Sequence, residues 1–580
     1  MSNDNINNIE VTRHSLSHIL ALAVLELWPD VKFAIGPAIE NGFYYDFDFG
    51  EEKIGEDDLI KIEKKMNHLI KQNLKFAKSE LSCEEAIKKE KKAGQVYKVE
   101  LIQDLKKQGE KKVSYYKLGK FEDLCRGPHI ESIGKIAKGS FKLTKIAGAY
   151  WRGDEKNKML TRVYGVAFDS KKELDEYLKM ITEAEKRDHR KLGKELGLFS
   201  FHQESPGFVF WHEKGMAVWN ELESFGKSLR KKYGYVEIKT PQMAKNTIWI
   251  TSGHWDHYKD DMFVFDVDKE VYCLKPMDCP FNIKIYQTKS RSYKDLPIRY
   301  TEIGRVFRNE KSGELSGLFR VREISQDDSH IFLREDQIEE EIGNLLNAVR
   351  EYYKALNVEP NFFFADRPDD FMGEIQTWGK AETALKKALK SQNIDYGLKE
   401  KDGAFYGPKI DVNIKDVFNR SWQVATIQLD FQLPGRFGCE YVDETGKKKT
   451  PVLIHAAIFG SFERMIGILI EHFGGAFPVW LSPVQVKIIS VGEGHIEYCN
   501  KLARELKEHN IRVEVDDADE TVGNKIRKSA QEKVPYMLVI GDKEIASNKL
   551  AVRDRGVDNL RQIGKDELIE EIKEKIGRRE

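Results

Sequence analysis

The pattern of hydrophobic and polar positions changes three times along the 580-residue chain. Residues 1–182 mix glycine-rich loops with helices rich in lysine and glutamate, and the strongly charged residues 183–199 predict one linker helix. In residues 200–482, aromatic and β-branched runs broken by glycine and proline predict a mostly antiparallel sheet with helices on it. Strand and helix patterns alternate in residues 483–580, which predicts an α/β domain with parallel strands. We therefore expect a multidomain α+β protein.

Composition excludes several classes of protein. The chain is 41% hydrophobic and 33% charged, and it has neither a secretory signal pattern nor the ~18-residue apolar run that a membrane span needs, so we expect a cytoplasmic protein with no membrane contact. A net charge of -1 gives no bulk argument for a nucleic-acid partner. Neither a P-loop nor a dinucleotide fingerprint occurs, so arginines and a sheet must bind any ATP.

Arginine residues supply the first candidate chemistry. Arg308, Arg320 and Arg322 flank the turn EKSGELSG, and two antiparallel strands joined by a mobile loop would direct their guanidinium groups at one phosphate. A hairpin with surface arginines is an equal alternative. Arg464 lies in the apolar helical pattern GSFERMIGILIEHF, where burial would require an anionic partner, either a carboxylate or a bound anion.

A second candidate site lies near the N-terminus. His14 and His18 are four residues apart in RHSLSHILALAVLEL and so share one helical face, and Cys125 and His129 follow in FEDLCRGPHIES. Three histidines and one cysteine are a typical ligand composition of a tetrahedral metal site. The alternative is a pair of helical histidines on a core with a buried cysteine, and spacing alone leaves both readings open.

Several longer phrases carry a family resemblance. RNE at 308–310 with FRVR, and the later GSFER, resemble the second and third motifs of class II aminoacyl-tRNA synthetases, and GYVEIKTPQM around Pro241 resembles the first. KPMDCP, QDDSHIF, GAFYGPKI, WQVATIQLDF, VLIHAAIFGSFER and VPYMLVIGDKE are similar to threonyl-tRNA synthetases. The resemblance implies an N-terminal editing domain (1–182), a linker helix (183–199), an antiparallel-sheet catalytic domain (200–482) and a C-terminal α/β anticodon-binding domain (483–580).

This family's activity follows as an expectation. A homodimer would use ATP with Mg²⁺ to activate L-threonine, transfer it to the 3′ end of threonine tRNA, and hydrolyse mischarged seryl-tRNA. The family's single catalytic zinc per subunit matches Cys279, His330 and His455, whose wide sequence separation would not by itself suggest a metal site. Zinc that binds the threonine hydroxyl rejects valine but not serine, which lacks only a methyl group worth ~1–3 kcal/mol. A hydrolytic second site is therefore expected.

The remaining site residues come from the resemblance alone. The expected catalytic residues are Arg308, Arg464, Lys409 and His254, the last matching a histidine implicated in deprotonating the tRNA ribose. The expected substrate-binding residues are Met277, Arg320, Gln326, Asp328, Tyr406, Gln423 and Gln428. The expected editing residues, in a site generally without metal in bacteria, are His14, His18, Lys98, Asp123, Cys125 and His129. Glu544 and Arg553 match anticodon contacts.

The sequence also departs from the family pattern. Since the editing helix is expected to start near residue 11, we expect this chain to lack the ubiquitin-like domain that opens many bacterial members. Phe281 and Asn282 replace Gly and His after the zinc cysteine, Ile324 stands where an aromatic can stack on adenine, and Asp519 replaces a common Asn. Two other hypotheses compete with this interpretation. The first is a non-catalytic RNA-binding paralogue, which should have lost the arginines and the zinc ligands. The second is a prolyl or histidyl relative, which would not combine this zinc triad with this editing region.

Overall fold

The computed structural model describes residues 8–547 and 549–580 and divides the chain into two compact units, Met1–Thr182 and Glu183–Glu580. The helices that begin in the first unit are α1 (Asn8–Leu27), α2 (Glu56–Lys71), α3 (Cys83–Lys92), α4 (Val96–Lys107) and α5 (Lys171–Arg187). Its strands are β1 (Lys32–Phe33), β2 (Ala38–Ile39), β3 (Gly42–Asp48), β4 (Phe76–Ser82), β5 (Lys112–Leu118), β6 (Phe121–Leu124), β7 (Phe141–Tyr150) and β8 (Met159–Ala167).

Helix α1 is the centre of the first unit's core because its sequence is apolar on most sides. Leu16 and Leu20 are fully buried against the antiparallel sheet β1-β3-β8-β7, on which β2 pairs with β3. Phe43, Tyr45 and Phe47 alternate along β3 into the same core, as the period of two in a strand requires. Strands β4, β5 and β6 form a separate antiparallel sheet.

The charged residues 183–199 do not form the single helix that their sequence predicts. Helix α5 ends at Arg187, and a new helix, α6 (His189–Glu195), begins directly after Asp188. The Asp188 side chain accepts a hydrogen bond from the backbone N–H of Arg190 at 2.8 Å, so it caps α6 instead of extending α5. Gly197, with φ of 64°, lies beyond the end of α6.

The second unit begins with the elements of residues 183–480. After α6, its helices are α7 (Glu213–Lys232), α8 (Thr247–Ser252), α9 (His254–Tyr258), α10 (Cys279–Tyr286), α11 (Ile338–Ala355), α12 (Ile375–Ser391), α13 (Leu433–Arg436) and α14 (Phe462–Phe473). Its strands are β9 (Phe199–Ser200), β10 (Phe210–Trp211), β11 (Val236–Glu237), β12 (Met243–Lys245), β13 (Val264–Val267), β14 (Glu270–Leu274), β15 (Ile298–Phe307), β16 (Glu323–Leu333), β17 (Pro360–Ala365), β18 (Tyr396–Lys399), β19 (Lys409–Lys415), β20 (Ser421–Asp430), β21 (Tyr441–Val442), β22 (Lys448–Lys449) and β23 (Val452–Ala457).

An eight-stranded sheet organises this part of the second unit. Its strand order is β11-β15-β16-β23-β20-β19-β17-β18, and every neighbouring pair is antiparallel except β11 with β15 and β17 with β18. Helices α7, α11, α12 and α14 bury apolar side chains against it in one large core. The predicted antiparallel sheet with helices on it is confirmed.

The last hundred residues form a second sheet. Its strands are β24 (Val486–Ser490), β25 (Val513–Asp516), β26 (Tyr536–Ile540), β27 (Lys549–Asp554) and β28 (Leu560–Gly564), and its helices are α15 (Ile496–Glu508), α16 (Val522–Gln531), α17 (Asp542–Ser547) and α18 (Lys565–Arg578). Strand β24 pairs in parallel with β25 and β26, but β27 and β28 are antiparallel, so the prediction of parallel strands is wrong for these two. Their connections are shorter than the dozen residues that a parallel crossover needs.

No helix among residues 8–547 and 549–580 is both long and apolar enough to cross a membrane.

Candidate active site

A cavity of about 680 Å³ lies on the eight-stranded sheet, a size that suits a small-molecule ligand or cofactor. Its walls include most of the residues that the family resemblance selects. They are His254, Met277, Cys279, Arg308, Arg320, Gln326, Asp328, Tyr406, Lys409, Gln423, Gln428, His455 and Arg464. The cavity therefore gathers side chains that lie up to 210 positions apart, from His254 to Arg464.

Strand periodicity explains how two of these walls form. Ile324, Gln326 and Asp328 alternate along β16 and all line the cavity. On β20, a register irregularity opposite Val412 and Asn413 shifts the alternation by one residue. Gln423 therefore faces the same side as Thr426, to whose Oγ1 its amide donates a hydrogen bond at 3.1 Å.

Three guanidinium groups face the cavity. Arg308 follows β15 directly, Arg320 precedes β16, and Arg464 lies in the first turn of α14. Arg464 donates hydrogen bonds to the carbonyl oxygens of Phe319 (3.2 Å) and Gln423 (3.3 Å), and within the described part of the chain no carboxylate lies within 4.0 Å of it. Burial lowers the pKa of Arg464, and Arg308 and Arg320 lower it further. The site therefore favours an anion.

The third arginine of the predicted hairpin points elsewhere. Arg322 donates to the backbone carbonyls of Glu310 (3.0 Å) and Pro206 (3.2 Å), and it does not line the cavity. The expectation that all three hairpin arginines converge is therefore wrong for Arg322. Arg320 is on the cavity wall but also pairs with Glu310 at 2.7 Å, so that carboxylate holds its guanidinium in place.

Cys279, His330 and His455 come together beside the cavity; Cys279 and His455 line its wall, and His330 does not. The strand register places His330 directly opposite His455, and one ligand atom from each of the three residues lies within 4.8 Å of the others. His330 is 1% exposed, yet neither of its ring nitrogens has a hydrogen-bond partner. Buried polar atoms are rarely left unpaired, so this imidazole fits a metal ligand better than a core side chain.

Asp430, which the sequence analysis did not select, orients this triad. Its Oδ2 lies 2.9 Å from Nε2 of His455, and Nδ1 of the same ring faces Sγ of Cys279 at 3.2 Å. A carboxylate on the far nitrogen of a metal-binding histidine fixes the tautomer and raises its basicity. The pKa of Cys279 is raised by burial and then by nearby carboxylates including Asp328.

A cluster of buried polar side chains lies next to Asp328. Lys275 contacts Asp278 at 2.5 Å and Glu302 at 3.7 Å, and the amide of Asn282 donates to Glu302 at 3.1 Å. Burial raises the pKa of Asp328, and the neighbouring carboxylates of Asp278 and Glu302 raise it further. The departure at Asn282 is thereby accounted for. The sequence analysis did not select Lys275, Asp278 or Glu302, and of these three only Glu302 lies in a strand, β15.

The departures at Phe281, Ile324 and Asp519 have different surroundings. Phe281 is buried with its ring centroid 5.7 Å from that of Trp249, and Ile324 presents an apolar side chain to the cavity. Asp519 is exposed in the loop between β25 and α16, and nothing in the structure explains the substitution.

His254 is also fully buried on the cavity wall. Its Nδ1 lies 2.7 Å from the Ser252 hydroxyl, which itself donates to the carbonyl of Trp249 at 3.1 Å. The hydroxyl must therefore accept from Nδ1–H, which leaves a lone pair on Nε2, and Nε2 has no partner within the described residues. Burial lowers the pKa of His254 to about 3, so the ring is neutral.

The first unit contains the N-terminal cluster. Sγ of Cys125 lies 3.3 Å from Nε2 of His14 and 3.3 Å from Nε2 of His129, and His18 completes a set whose ligand atoms lie within 4.8 Å of one another. Burial lowers the pKa of His129 to about 2 and raises that of Cys125 to about 11. Burial also lowers the pKa of His14, so the imidazoles of His14 and His129 are neutral beside a protonated thiol.

Lys98 and Asp123 lie beside this cluster as a buried ion pair. The Tyr45 hydroxyl donates to Oδ2 of Asp123 at 2.6 Å, and the same oxygen lies 3.9 Å from Nε2 of His18. Sequence reasoning missed Tyr45, whose place in an alternating apolar strand resembles an ordinary core position.

The two expected anticodon residues lie in the C-terminal sheet region. Glu544, in α17, accepts a hydrogen bond from the backbone N–H of Gly541 at 3.0 Å. Arg553, on β27, is half-buried, and its Nε has no hydrogen-bond partner. Nη1 of the same guanidinium group donates to the carbonyl oxygen of Asp558 at 3.5 Å.

The mostly antiparallel sheet and its arginine-lined cavity belong to a class II aminoacyl-tRNA synthetase. The family model described as the tRNA synthetase class II core domain (G, H, P, S and T) matches residues 263–473. The anticodon binding domain matches residues 485–575, and the threonyl and alanyl tRNA synthetase second additional domain matches residues 113–164.

Individual relatives identify the family within this class. The threonine–tRNA ligase of Clostridium tetani is 51% identical over 98% of this chain and 88% of its own length, and that of Carboxydothermus hydrogenoformans is 49% identical over 97% and 88%. A crystal structure of the RNA binding domain of threonyl-tRNA synthetase from Cryptosporidium parvum covers 67% of this chain and 98% of its own, with a TM-score of 0.65 and 40% identity. The chain belongs to the threonine–tRNA ligase family.

Membership makes this protein an enzyme, an aminoacyl-tRNA ligase with the three expected kinds of domain. Activation of the amino acid by ATP with Mg²⁺, followed by transfer to tRNA, is the reaction of this family. The second additional domain is associated with editing.

Proposed function

We propose that this enzyme activates L-threonine and charges threonine tRNA in the cavity on the eight-stranded sheet. The observation that carries the proposal is the single cavity in which the Cys279 and His455 side chains meet the guanidinium groups of Arg308 and Arg464. A cation site at one end and an anion site at the other suit an amino acid and the phosphates of ATP, respectively.

We propose that the cation is one zinc ion per subunit, held by Cys279, His330 and His455. The unpartnered nitrogens of His330 and the sulfur and imidazole donors support a zinc site, and three protein ligands leave room for a substrate. When bound, zinc would act as a Lewis acid that accepts the amino group and hydroxyl of threonine. Valine offers no hydroxyl and is expected to be rejected for that reason.

The polar residues of the cavity then bind the rest of the substrates. Asp328 is proposed to accept the threonine ammonium, and its burial supports an ionic partner that the free enzyme lacks. The other proposed threonine and adenylate contacts are Met277, Gln326, Tyr406, Gln423 and Gln428. Arg308, Arg320, Arg464 and Lys409 are proposed to hold the phosphates and stabilise charge in the transition state.

His254 is proposed to act in the transfer step. The lone pair that Ser252 leaves on Nε2 faces away from any partner among the described residues, and it can accept a proton from a ribose hydroxyl, directly or through its neighbour. A buried neutral imidazole accepts such a proton without first losing one.

The N-terminal cluster is proposed to hydrolyse seryl-tRNA. His14, His18, Cys125 and His129 would bind and activate a water molecule, with Lys98 and Asp123 as their charged neighbours. In the C-terminal domain, Glu544 and Arg553 are proposed to recognise anticodon bases by side-chain hydrogen bonds. The domain boundaries are proposed at residues 1–182, 200–482 and 483–580, with 183–199 as linker; the two compact units and the three matched segments support them.

The enzyme is also proposed to be a homodimer. Val236 lies exposed on β11 at an edge of the large sheet, and Met243 and Phe265 are exposed on β12 and β13, the outer strands of a separate three-stranded sheet. A contiguous patch of exposed apolar side chains marks a protein interface. A second copy of the chain is the proposed occupant.

An ATP–pyrophosphate exchange assay with threonine, serine, valine and proline tests the central proposal. We expect fast exchange with threonine, slower exchange with serine, and little with valine or proline. Metal analysis should find one zinc per chain, and Cys279→Ser should lose it while the folded structure survives. Preferential exchange with proline, or a zinc-free active enzyme, would overturn the proposal.

A further inference from the structure

A buried histidine at the start of α6 contacts the arginine-bearing loop between β15 and β16. His189 is 2% exposed, and its Nε2 accepts a hydrogen bond from the backbone N–H of Leu318 at 3.0 Å. Its Nδ1 lies 2.8 Å from Oε1 of Glu471, on α14. Since Nε2 is an acceptor, Nδ1 carries the proton and donates to Glu471, so one neutral tautomer satisfies both contacts.

This arrangement excludes a metal site. Asp188, His189 and Glu471 are close enough to hold an ion, but both nitrogens of His189 are already hydrogen-bonded within the protein. The geometry instead explains Gly317, at the turn before Leu318. A Cβ at Gly317 would lie 2.3 Å from Nε2 of His189, so a side chain there would collide with the ring.

The segment that His189 holds leads directly to the phosphate end of the cavity. The carbonyl of Phe319 accepts a hydrogen bond from Nε of Arg464 at 3.2 Å, and the Phe319 ring lines the cavity. That ring lies between the rings of His189 (4.1 Å between centroids) and Trp422 (4.4 Å). His189 therefore constrains the backbone at Leu318 and the side chain of Phe319.

We propose that His189 is a positioning residue for ATP binding. Its Nε2 fixes the Gly317–Leu318 peptide, next to Phe319, and the Phe319 carbonyl in turn directs the Arg464 guanidinium into the cavity. The inference rests on the proposed role of Arg464 with ATP. His189 touches neither substrate, so its effect reaches the reaction only through the loop.

Two substitutions separate the two hydrogen bonds of the ring. His189→Gln keeps an acceptor near the position of Nε2, whereas His189→Asn keeps a donor near the position of Nδ1 and loses the acceptor for Leu318. We expect His189→Asn to raise the KM for ATP about tenfold in pyrophosphate exchange, with the KM for threonine unchanged, and His189→Gln to stay within about threefold of the parent enzyme. His472→Asn, on the same helix as Glu471, is the control and should change neither constant.

If His189 acted only through its contact with Glu471, the KM for ATP of His189→Asn would be closer to that of the parent enzyme than the KM of His189→Gln. That order, or an unchanged KM for ATP in His189→Asn, would overturn the inference. If His189→Asn does not fold, a tenfold rise in a folded His189→Gln protein would overturn it equally. Arg464→Ala tests the proposed function separately: if it leaves the KM for ATP unchanged, Arg464 does not bind ATP, whatever His189 does.

Discussion

Replacement of Asp430 by asparagine should weaken the proposed zinc site by changing the tautomer of His455. Oδ1 of Asp430 accepts backbone hydrogen bonds from Gln432 (2.6 Å) and Leu433 (3.0 Å), while Oδ2 lies 2.9 Å from Nε2 of His455. In Asp430→Asn the two backbone donors hold the amide oxygen, so the NH₂ group must face Nε2. The imidazole then has to accept at Nε2, which moves its proton to Nδ1, the nitrogen that faces Cys279.

A protonated Nδ1 cannot bind a metal. Loss of such an outer partner typically costs 10–100-fold in metal affinity, which is about 1.4–2.7 kcal/mol. Zinc content should therefore fall steeply in a titration with a competing chelator, and the KM for threonine should rise while the KM for ATP stays constant. The shape of the side chain is preserved, so the variant isolates the tautomer.

Asp443→Asn is the matched control, because Asp443 is also buried and its Oδ1 accepts from the backbone of Thr445 (2.8 Å) and Lys447 (2.9 Å) without touching an imidazole. It should retain zinc at every chelator concentration. An Asp430→Asn enzyme that holds zinc as tightly as the parent would refute the reasoning.

Three further predictions follow from the other buried groups. Ser252→Ala should slow transfer from preformed threonyl-adenylate about tenfold in single-turnover assays, because Nδ1 of His254 then has no partner that fixes the tautomer of the ring. Ser252→Thr should restore the transfer rate. Equal transfer rates in all three proteins would exclude a role of Ser252 in transfer. His14→Ala combined with Cys125→Ala should leave threonine activation intact while seryl-tRNA accumulates, and unchanged hydrolysis of seryl-tRNA would remove both residues from editing. Burial lowers the pKa of His254 from 6.5 to about 3, so between these pH values the unfolded chain binds a proton that the folded chain does not, and the free energy of unfolding should fall as pH drops from about 6.5 towards 3. In thermal unfolding, the stability of His254→Gln should decline less steeply over this range. An identical decline in the two proteins would contradict the prediction.

Local patterns predicted the parts of the site that depend on one element. The alternation along β16 brings Ile324, Gln326 and Asp328 to one face, and a period of two needs no knowledge of the rest of the chain. The position of Gln423 could not be predicted in this way, because the irregularity opposite Val412 that turns it inward depends on the pairing with β19. Likewise, the direction of Arg322 is set by carbonyl groups at Pro206 and Glu310, which lie in other segments.

Long-range groups needed the resemblance or the structure. Cys279, His330 and His455 lie on three elements, and only the pairing of β16 with β23 brings the two histidines opposite each other. His189 was hidden in a charged segment, where its sequence neighbours suggest a solvent-exposed helix. Its burial depends on Glu471, 282 positions away, which the sequence places in an apolar helix without indicating a partner.

The contacts of the N-terminal cluster support a base in the proposed editing site. The Ser15 hydroxyl donates to the carbonyl of Val11 at 2.8 Å, so it accepts from Nδ1–H of His129, and Nδ1 of His14 faces the carbonyl of Pro128 at 3.2 Å. Both rings therefore direct an unprotonated Nε2 at Cys125, whose thiol has one proton to give. One imidazole lone pair is left over, and it can take a proton from water. This base meets a need that the proposed zinc site would create, since serine would satisfy the metal as threonine does and lacks only a methyl group worth ~1–3 kcal/mol.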